Sequence, residues 1–176
     1  MYFNNRDQLK DYLSAEKNIY FPGGGPALPF SFREKDVLWR YVKCLRKVEY
    51  YEDTDNKFLS AFFRIKLKRL TLKYAIHIPP HVFEKGLSIA HIGPVLVNGG
   101  SEIGANCRIH VGVSIGPAGG NCPVIGNNVY IGPGAKIFGD IYIADDIKIG
   151  ANAVVNKSCD IVGATLVGVP ARAVIK

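Results

Sequence analysis

No uncharged apolar run in this 176-residue chain approaches the roughly 20 residues that a bilayer-crossing helix needs, so no membrane span is expected. The stretch Met1–Tyr20 also lacks the apolar centre of an export signal, because Arg6, Asp7, Lys10 and Asp11 interrupt it, and a cytoplasmic protein is the expectation. Cysteine is sparse: four residues with no CxxC spacing, which argues against zinc or redox work and leaves no metal site to predict. No nucleic-acid-binding motif is present, and the basic residues are not interleaved with the stacking aromatics that single-strand binders use, so no nucleic-acid partner is expected.

What the chain does have is 48% apolar residues, enough for a sizeable core, and a net charge of +7 that is unevenly spread. Residues 1–80 hold 15 Lys/Arg against 9 Asp/Glu, and residues 81–176 hold 7 against 6, so the excess divides as +6 and +1. The N-terminal part reads as helical. A short helix is expected over Asn5–Lys17, broken by Phe21-Pro-Gly-Gly-Gly-Pro26. Beyond it, Leu38, Tyr41, Val42, Leu45 and Val48 recur at three and four over Glu34–Glu52. A further helix over Lys57–Tyr74 carries apolar Phe58, Phe62, Ile65 and Leu72 with basic Arg64, Lys66, Lys68, Arg69 and Lys73. Such a charged face reads first as a solvated one; the alternative is a peripheral contact with an anionic membrane. Pro79-Pro80 ends this part, giving a division into 1–80, an α-helical N-terminal domain, and 81–176.

From Ile103 onward a β-branched residue recurs every six positions: Ile103, Ile109 and Ile115, then Ile125, Ile131, Ile137, Ile143, Ile149, Val155, Ile161 and Val167. Four residues after most of these comes a small apolar residue, Cys107, Ala135, Ala153 and Cys159 among them. A period of six fits neither a 3.6-residue helix nor a hairpin ladder, but it fits short strands and turns wound into a mainly β, hexapeptide-repeat solenoid. Three such walls close a coil of eighteen residues. The single slip, from Ile115 to Ile125, marks Pro117–Pro123 as a loop pushed out of a corner. Counting back from Ile103 gives Val97, as the pattern requires, and then His91, where an aliphatic side chain belongs. Either the coil bulges over residues 89–94 and turns the imidazole outward, or the ring is a satisfied structural histidine; left bare in the core it would be costly. His110, one coil plus one residue further on, should lie close to it in an outward slot, either lining an acceptor site or simply exposed. His77 and His81 precede the regular coil and read as structural or exposed.

Ile131-Gly-Pro-Gly-Ala-Lys-Ile137, Ile149-Gly-Ala-Asn-Ala-Val-Val155 and Gly168-Val-Pro-Ala-Arg172 resemble the hexapeptide-repeat acyltransferases, in the branch similar to serine acetyltransferase. The resemblance implies a left-handed parallel β-helix, an acetyl-CoA co-substrate held in a corner groove, and a homotrimer. It also implies that His91, in Leu87-Ser-Ile-Ala-His91, is the catalytic general base; the acceptor-binding candidates are Asn98, at the end of the matching segment that follows, and His110, from its spacing to His91. Gly116, Gly134 and Ala135 are carried over as contacts to acetyl-CoA, with Lys157 and Arg172 as cations for its phosphates.

The chain departs from that pattern where a true serine acetyltransferase has an acid before the base, a second acid about fifteen residues upstream, and an Arg-His pair in the loop. Those places hold Ala90, Ile76 and Asn121-Cys122. These departures lead to a first reading as an O-acetyltransferase acting on a sugar, free or lipid-linked, for surface polysaccharide. Serine O-acetylation is the alternative. A γ-type carbonic anhydrase would need a third coil histidine that is not there, and a scaffold without catalysis would not need His91.

Overall fold

The computed structural model describes residues 3–28 and 30–174. Three helices come first: α1 (Arg6–Tyr20), α2 (Glu34–Asp53) and α3 (Lys57–Tyr74). α1 begins at a capping box, in which the Asn5 side chain takes the N–H groups of Asp7 and Gln8 while the Gln8 side chain returns to the Asn5 backbone. α2 buries the expected stripe, Leu38, Tyr41, Val42, Leu45 and Val48, each 3% exposed or less. α3 does not bury its Phe58, Phe62, Ile65 or Leu72; only Leu67 is buried in that helix.

The remainder is a parallel β-solenoid with three walls. Wall A stacks Ile76–His77, Val95–Val97, Ser114–Gly116, Lys136–Phe138 and Val154–Val155. Wall B stacks Glu102–Ile103, Val124–Ile125 and Tyr142–Ile143, extended by bridges to Phe83 and Cys159. Wall C stacks Ser88–Ile89, Arg108–Ile109, Tyr130–Ile131, Lys148–Ile149 and Thr165–Gly168, and ends in the antiparallel strand Ala171–Val174. Coil pairing therefore starts at Ile76, ahead of the expected start near residue 81. Ile131 pairs with Ile149 and Ile137 with Val155, the eighteen-residue turn read from the sequence; Ile115 pairs with Ile137, four residues longer, with the loop Pro117–Pro123 between.

Ile103, Ile109, Ile115, Ile125, Ile131, Ile137, Ile143, Ile149 and Val155 are all buried, 3% exposed at most, and each full burial contributes about 1.5–3 kcal/mol. The last two beats are corrected. Ile161 and Val167 are about 40% exposed, and Cys159 and Leu166 take the inward places. The reason is a shortened last turn: Ile143 meets Cys159 sixteen residues on and Ile149 meets Leu166 seventeen residues on, so the inward positions arrive early.

The helices are joined to the first coil by one buried ionic knot. Arg46 is fully buried on α2, and all five of its N–H donors are used. Nε and Nη2 donate to Glu16 Oε1 of α1 at 2.9 and 2.6 Å, and Nη1 to Glu49 Oε2 at 2.8 Å. The remaining donors take the carbonyls of Phe83 at 2.8 Å and Glu84 at 2.7 Å, on the coil. Burial works against the guanidinium charge, but Glu49 and Glu16 outweigh it and raise its pKa above the ordinary arginine value. Tyr41 Oη donates to the Ile76 carbonyl and accepts the Ile78 N–H, Glu16 accepts the Leu87 N–H, and Tyr20 Oη accepts the Ile89 N–H, so unpaired edges of the first turn end on helix side chains. The helical and coil residues form one continuous core. Arg46→Met keeps most of the volume but strands two buried carboxylates and two carbonyls; denaturant unfolding should show a loss of about 3–5 kcal/mol.

Candidate active site

Wall C hands the chain to wall A through a corner at residues 90–94, and this corner is two residues longer than the repeat requires. Ile89 pairs with Ile109 and Val97 with Ile115, so eight residues separate two inward positions that are normally six apart. Ile89 takes the core place, and the extra length pushes His91 out, with its side chain 58% exposed. Of the two readings of the broken register, the structure shows the bulge.

The exposed imidazole is not free to turn. Its Nδ1 lies 3.2 Å from Glu34 Oε2, and Glu34 Oε1 accepts the Ile92 N–H at 2.9 Å. The Ile92 N–H, then the His91 ring, hold the Glu34 carboxyl below the usual glutamate value, so it is ionised at neutral pH. An ionised carboxylate can only accept, which puts the ring proton on Nδ1 and leaves the Nε2 lone pair open. Glu34 is the first residue of α2, and the Arg46 knot fixes that helix against the coil.

His110 sits on the same corner one turn on, its ring 6.0 Å from that of His91 and 5.0 Å from that of Tyr130. Burial first, then the charge of Arg108 and His91, lower its pKa below the ordinary histidine value. Arg108 Nε points at His110 Nε2 at 3.4 Å, and its Nη1 donates to Ser88 Oγ at 3.2 Å. Arg108, Lys35 and Glu34 line an open pocket of about 180 Å³ together with Tyr20, Leu38 and Ser88.

The other predicted residues fall on two corners of the prism. Gly134 and Ala135 lie at the C-to-A corner, as do the histidines, and Arg172 pairs with Val167 next to that corner. Asn98, Gly116 and Lys157 lie at the A-to-B corner, where the loop Pro117–Pro123 also projects. Asn98 and Gly116 share a cleft of about 490 Å³ with Lys136 and Phe138, and Asn98 Oδ1 accepts from Cys122 Sγ at 3.3 Å. Gly134 has φ +74°, and a Cβ there would stand 2.1 Å from Asn152 Oδ1, so coil stacking by itself favours glycine there. Its N–H donates to the Val111 carbonyl and that of Ala135 to the Gly132 carbonyl, so neither donor is spare. Lys157 and Arg172 are exposed. His77 is exposed, and His81 is tied to Glu52 at 3.2 Å with its N–H on Glu49. No three His, Cys, Asp or Glu side chains converge as a metal site among the described residues.

Residues 122–157 match the family model "Bacterial transferase hexapeptide (six repeats)". Over those residues the chain is similar to hexapeptide-repeat transferases, and the relatives it matches include serine acetyltransferases. It is 38% identical over 115 residues to a serine acetyltransferase of Helicobacter pylori, covering 63% of this chain and 66% of that protein, just under two thirds of its length. Among solved structures it is similar to the serine acetyltransferase of Neisseria gonorrhoeae in complex with serine, at TM-score 0.71 and 25% identity, over 96% of this chain and 70% of that one. A serine acetyltransferase in complex with CoA superposes at TM-score 0.76 and 25% identity, over 96% and 71%.

These relatives overturn the expectation of a sugar acceptor. Its premise, that the acid and the cation of a serine site are missing, counted positions along the coil and its loop only. An acid does stand beside the ring, Glu34, 57 residues before His91, for which no spacing along the repeat gives a signal. Arg108 does leave a signal: it opens the strand that ends just before His110, and alternation sets both residues outward. The Glu34 pairing carries a pH signature. Its folded pKa lies below the ordinary 4.5, so its contribution is present above that value and lost as pH falls through the depressed one. Glu34→Gln should therefore cost under about 1 kcal/mol at pH 7, as exposed pairs do, and the difference from wild type should vanish in denaturant curves at the acid end.

Proposed function

We propose that this protein transfers an acetyl group from acetyl-CoA to the hydroxyl of serine, with His91 as general base. The observation that carries the reading is the His91–Glu34 couple beside a small pocket lined by one carboxylate, Glu34, and by Arg108 as its opposite charge, with Lys35 as a second cation. A zwitterionic amino acid matches that pair, its ammonium toward Glu34 and its carboxylate toward Arg108. The serine hydroxyl gives its proton to His91 Nε2 as its oxygen attacks the thioester carbonyl. The tetrahedral intermediate then expels the CoA thiolate, which recovers the proton from His91, giving O-acetylserine and CoA. Glu34 holds the ring in the productive tautomer and offsets the transient imidazolium charge. His110, kept neutral by its lowered pKa, sits beside the acceptor as a hydrogen-bonding neighbour. Because acetyl-CoA is an intracellular metabolite, this reading places the reaction in the cytoplasm.

The same reading includes a homotrimer. The catalytic, acceptor-binding and CoA-directed residues lie on two different corners, which one subunit cannot bring together, and an open corner has only one wall for a ligand that needs most of its surface covered. In a trimer the A-to-B corner of one subunit, with Asn98, Gly116 and Lys157, would face the C-to-A corner of its neighbour, with His91, Gly134, Ala135 and Arg172. Light scattering should give three times the chain mass for the active species; an active monomer would contradict the arrangement.

The acceptor is tested by mass spectrometry of acetyl-CoA reactions with serine, its des-carboxy analogue ethanolamine, and free and nucleotide-linked sugars. Serine should turn over fastest. His91→Ala should lower kcat by about 10²–10⁴ with CoA binding kept, while Arg108→Ala and His110→Ala should chiefly raise the serine KM. Near-normal turnover by a folded, CoA-binding His91→Ala variant would sink the assignment.

A further inference from the structure

Most of the large apolar side chains that stand furthest into solvent belong to the helical part: Phe30 is 91% exposed, Phe32 87%, Phe58 83%, Leu72 73%, Ile65 59% and Phe62 56%. Four of them are on α3, and their placement is not scattered. At 100° per residue, Phe58, Phe62, Ile65 and Leu72 fall within a sector of about 80°, a continuous apolar stripe on the outer face. Lys66 and Lys73 border the stripe on one side and Lys57 and Lys68 on the other, with Arg69 inside it. α3 contains no acidic residue, and the chain has none from Lys57 to Phe83. Arg64 is paired with Glu52, but Lys57, Lys66, Lys68, Arg69 and Lys73 make no ion pair among the described residues. The surface continues beyond α3, because Phe30, Lys43, Lys47 and Lys66 line one hollow between α2, α3 and the preceding segment.

We propose that this face of α3, continued through Lys66 to Phe30, seats the protein on an anionic phospholipid surface. The apolar stripe enters the boundary between headgroups and acyl chains, and the flanking lysines extend along it to reach the phosphates. A second copy of this chain is a poorer occupant. Docking α3 on α3 would oppose six cations to six with no acid in either helix, and like charge across an interface is costly. A solvated helix face accounts for the lysines but not for four large apolar side chains aligned between them. The proposal stands on residues remote from His91 and is independent of which acceptor the enzyme uses.

The test is co-sedimentation of the full chain with phosphatidylcholine vesicles, with and without phosphatidylglycerol, at rising salt. The protein should pellet with the anionic vesicles only, and the bound fraction should fall as salt screens the lysines. The variant Phe58→Ser/Phe62→Ser should bind at least about tenfold more weakly, since it removes two large apolar contacts, while its melting temperature and acetyl transfer stay unchanged. Lys66→Glu/Lys68→Glu should lose binding in the same way, which guards against an effect peculiar to the aromatic changes. Absence of binding, equal binding to neutral vesicles, or retention of anionic binding by both variants would overturn the proposal. So would a concentration-dependent assembly beyond the catalytic oligomer that Phe58→Ser/Phe62→Ser abolishes, which would give the stripe to a second copy.

Discussion

The structure depends most on a single buried guanidinium. A hexapeptide coil is stable in its middle because each strand has a neighbour above and below, but its first turn exposes unpaired N–H and C=O groups that something must satisfy. Here the helices do this with side chains: Arg46 covers two carbonyls, Tyr41 serves Ile76 and Ile78, and Glu16 and Tyr20 take the N–H groups of Leu87 and Ile89. Charge buried in this way is stable only with its partners in place, so α1, α2 and the first turn are held in one arrangement. That arrangement brings the start of α2 to the corner at residues 90–94, and it is the reason a carboxylate meets His91 at all.

Much of the fold can be read along the sequence because a repeat states its own geometry. The beat from Ile103 to Val155 is found inward at every position, and the ten-residue step after Ile115 is the projecting loop. Reading was incomplete where the length of a corner changed: the break at His91 left two outcomes open, one of them the bulge that is found, and only the last two beats were misplaced. At residues 90–94 two extra residues displaced His91, and after Val155 a shorter turn exchanged Ile161 and Val167 for Cys159 and Leu166. Periodicity can show that a register breaks, but whether the side chain turns out or stays in is decided by packing that a one-dimensional count does not contain. α3 shows the same limit, since Phe58, Phe62, Ile65 and Leu72 have the look of a core stripe and are exposed.

The site was legible in the same partial way. His91 and His110 were found together from their separation of one coil plus one residue, and their rings lie 6.0 Å apart. The coil positions where the family pattern puts an acid hold Ala90 and Ile76, and the carboxylate that reaches the His91 ring starts a helix far upstream. A departure from a family's local pattern along the coil thus does not keep a carboxylate from reaching the same ring from another element. Glu34, Arg108 and Lys35 place one negative and two positive groups around a pocket of about 180 Å³.

The central claim is that Glu34, delivered by the helical part, acts through His91. A double-mutant cycle on kcat with Glu34→Gln and His91→Ala measures this directly. If the carboxylate works by orienting the ring and offsetting its charge, Glu34→Gln should slow acetyl transfer when His91 is present and have no further effect once His91 is alanine. Equal losses in both backgrounds would show that the two residues act independently, and would contradict the account.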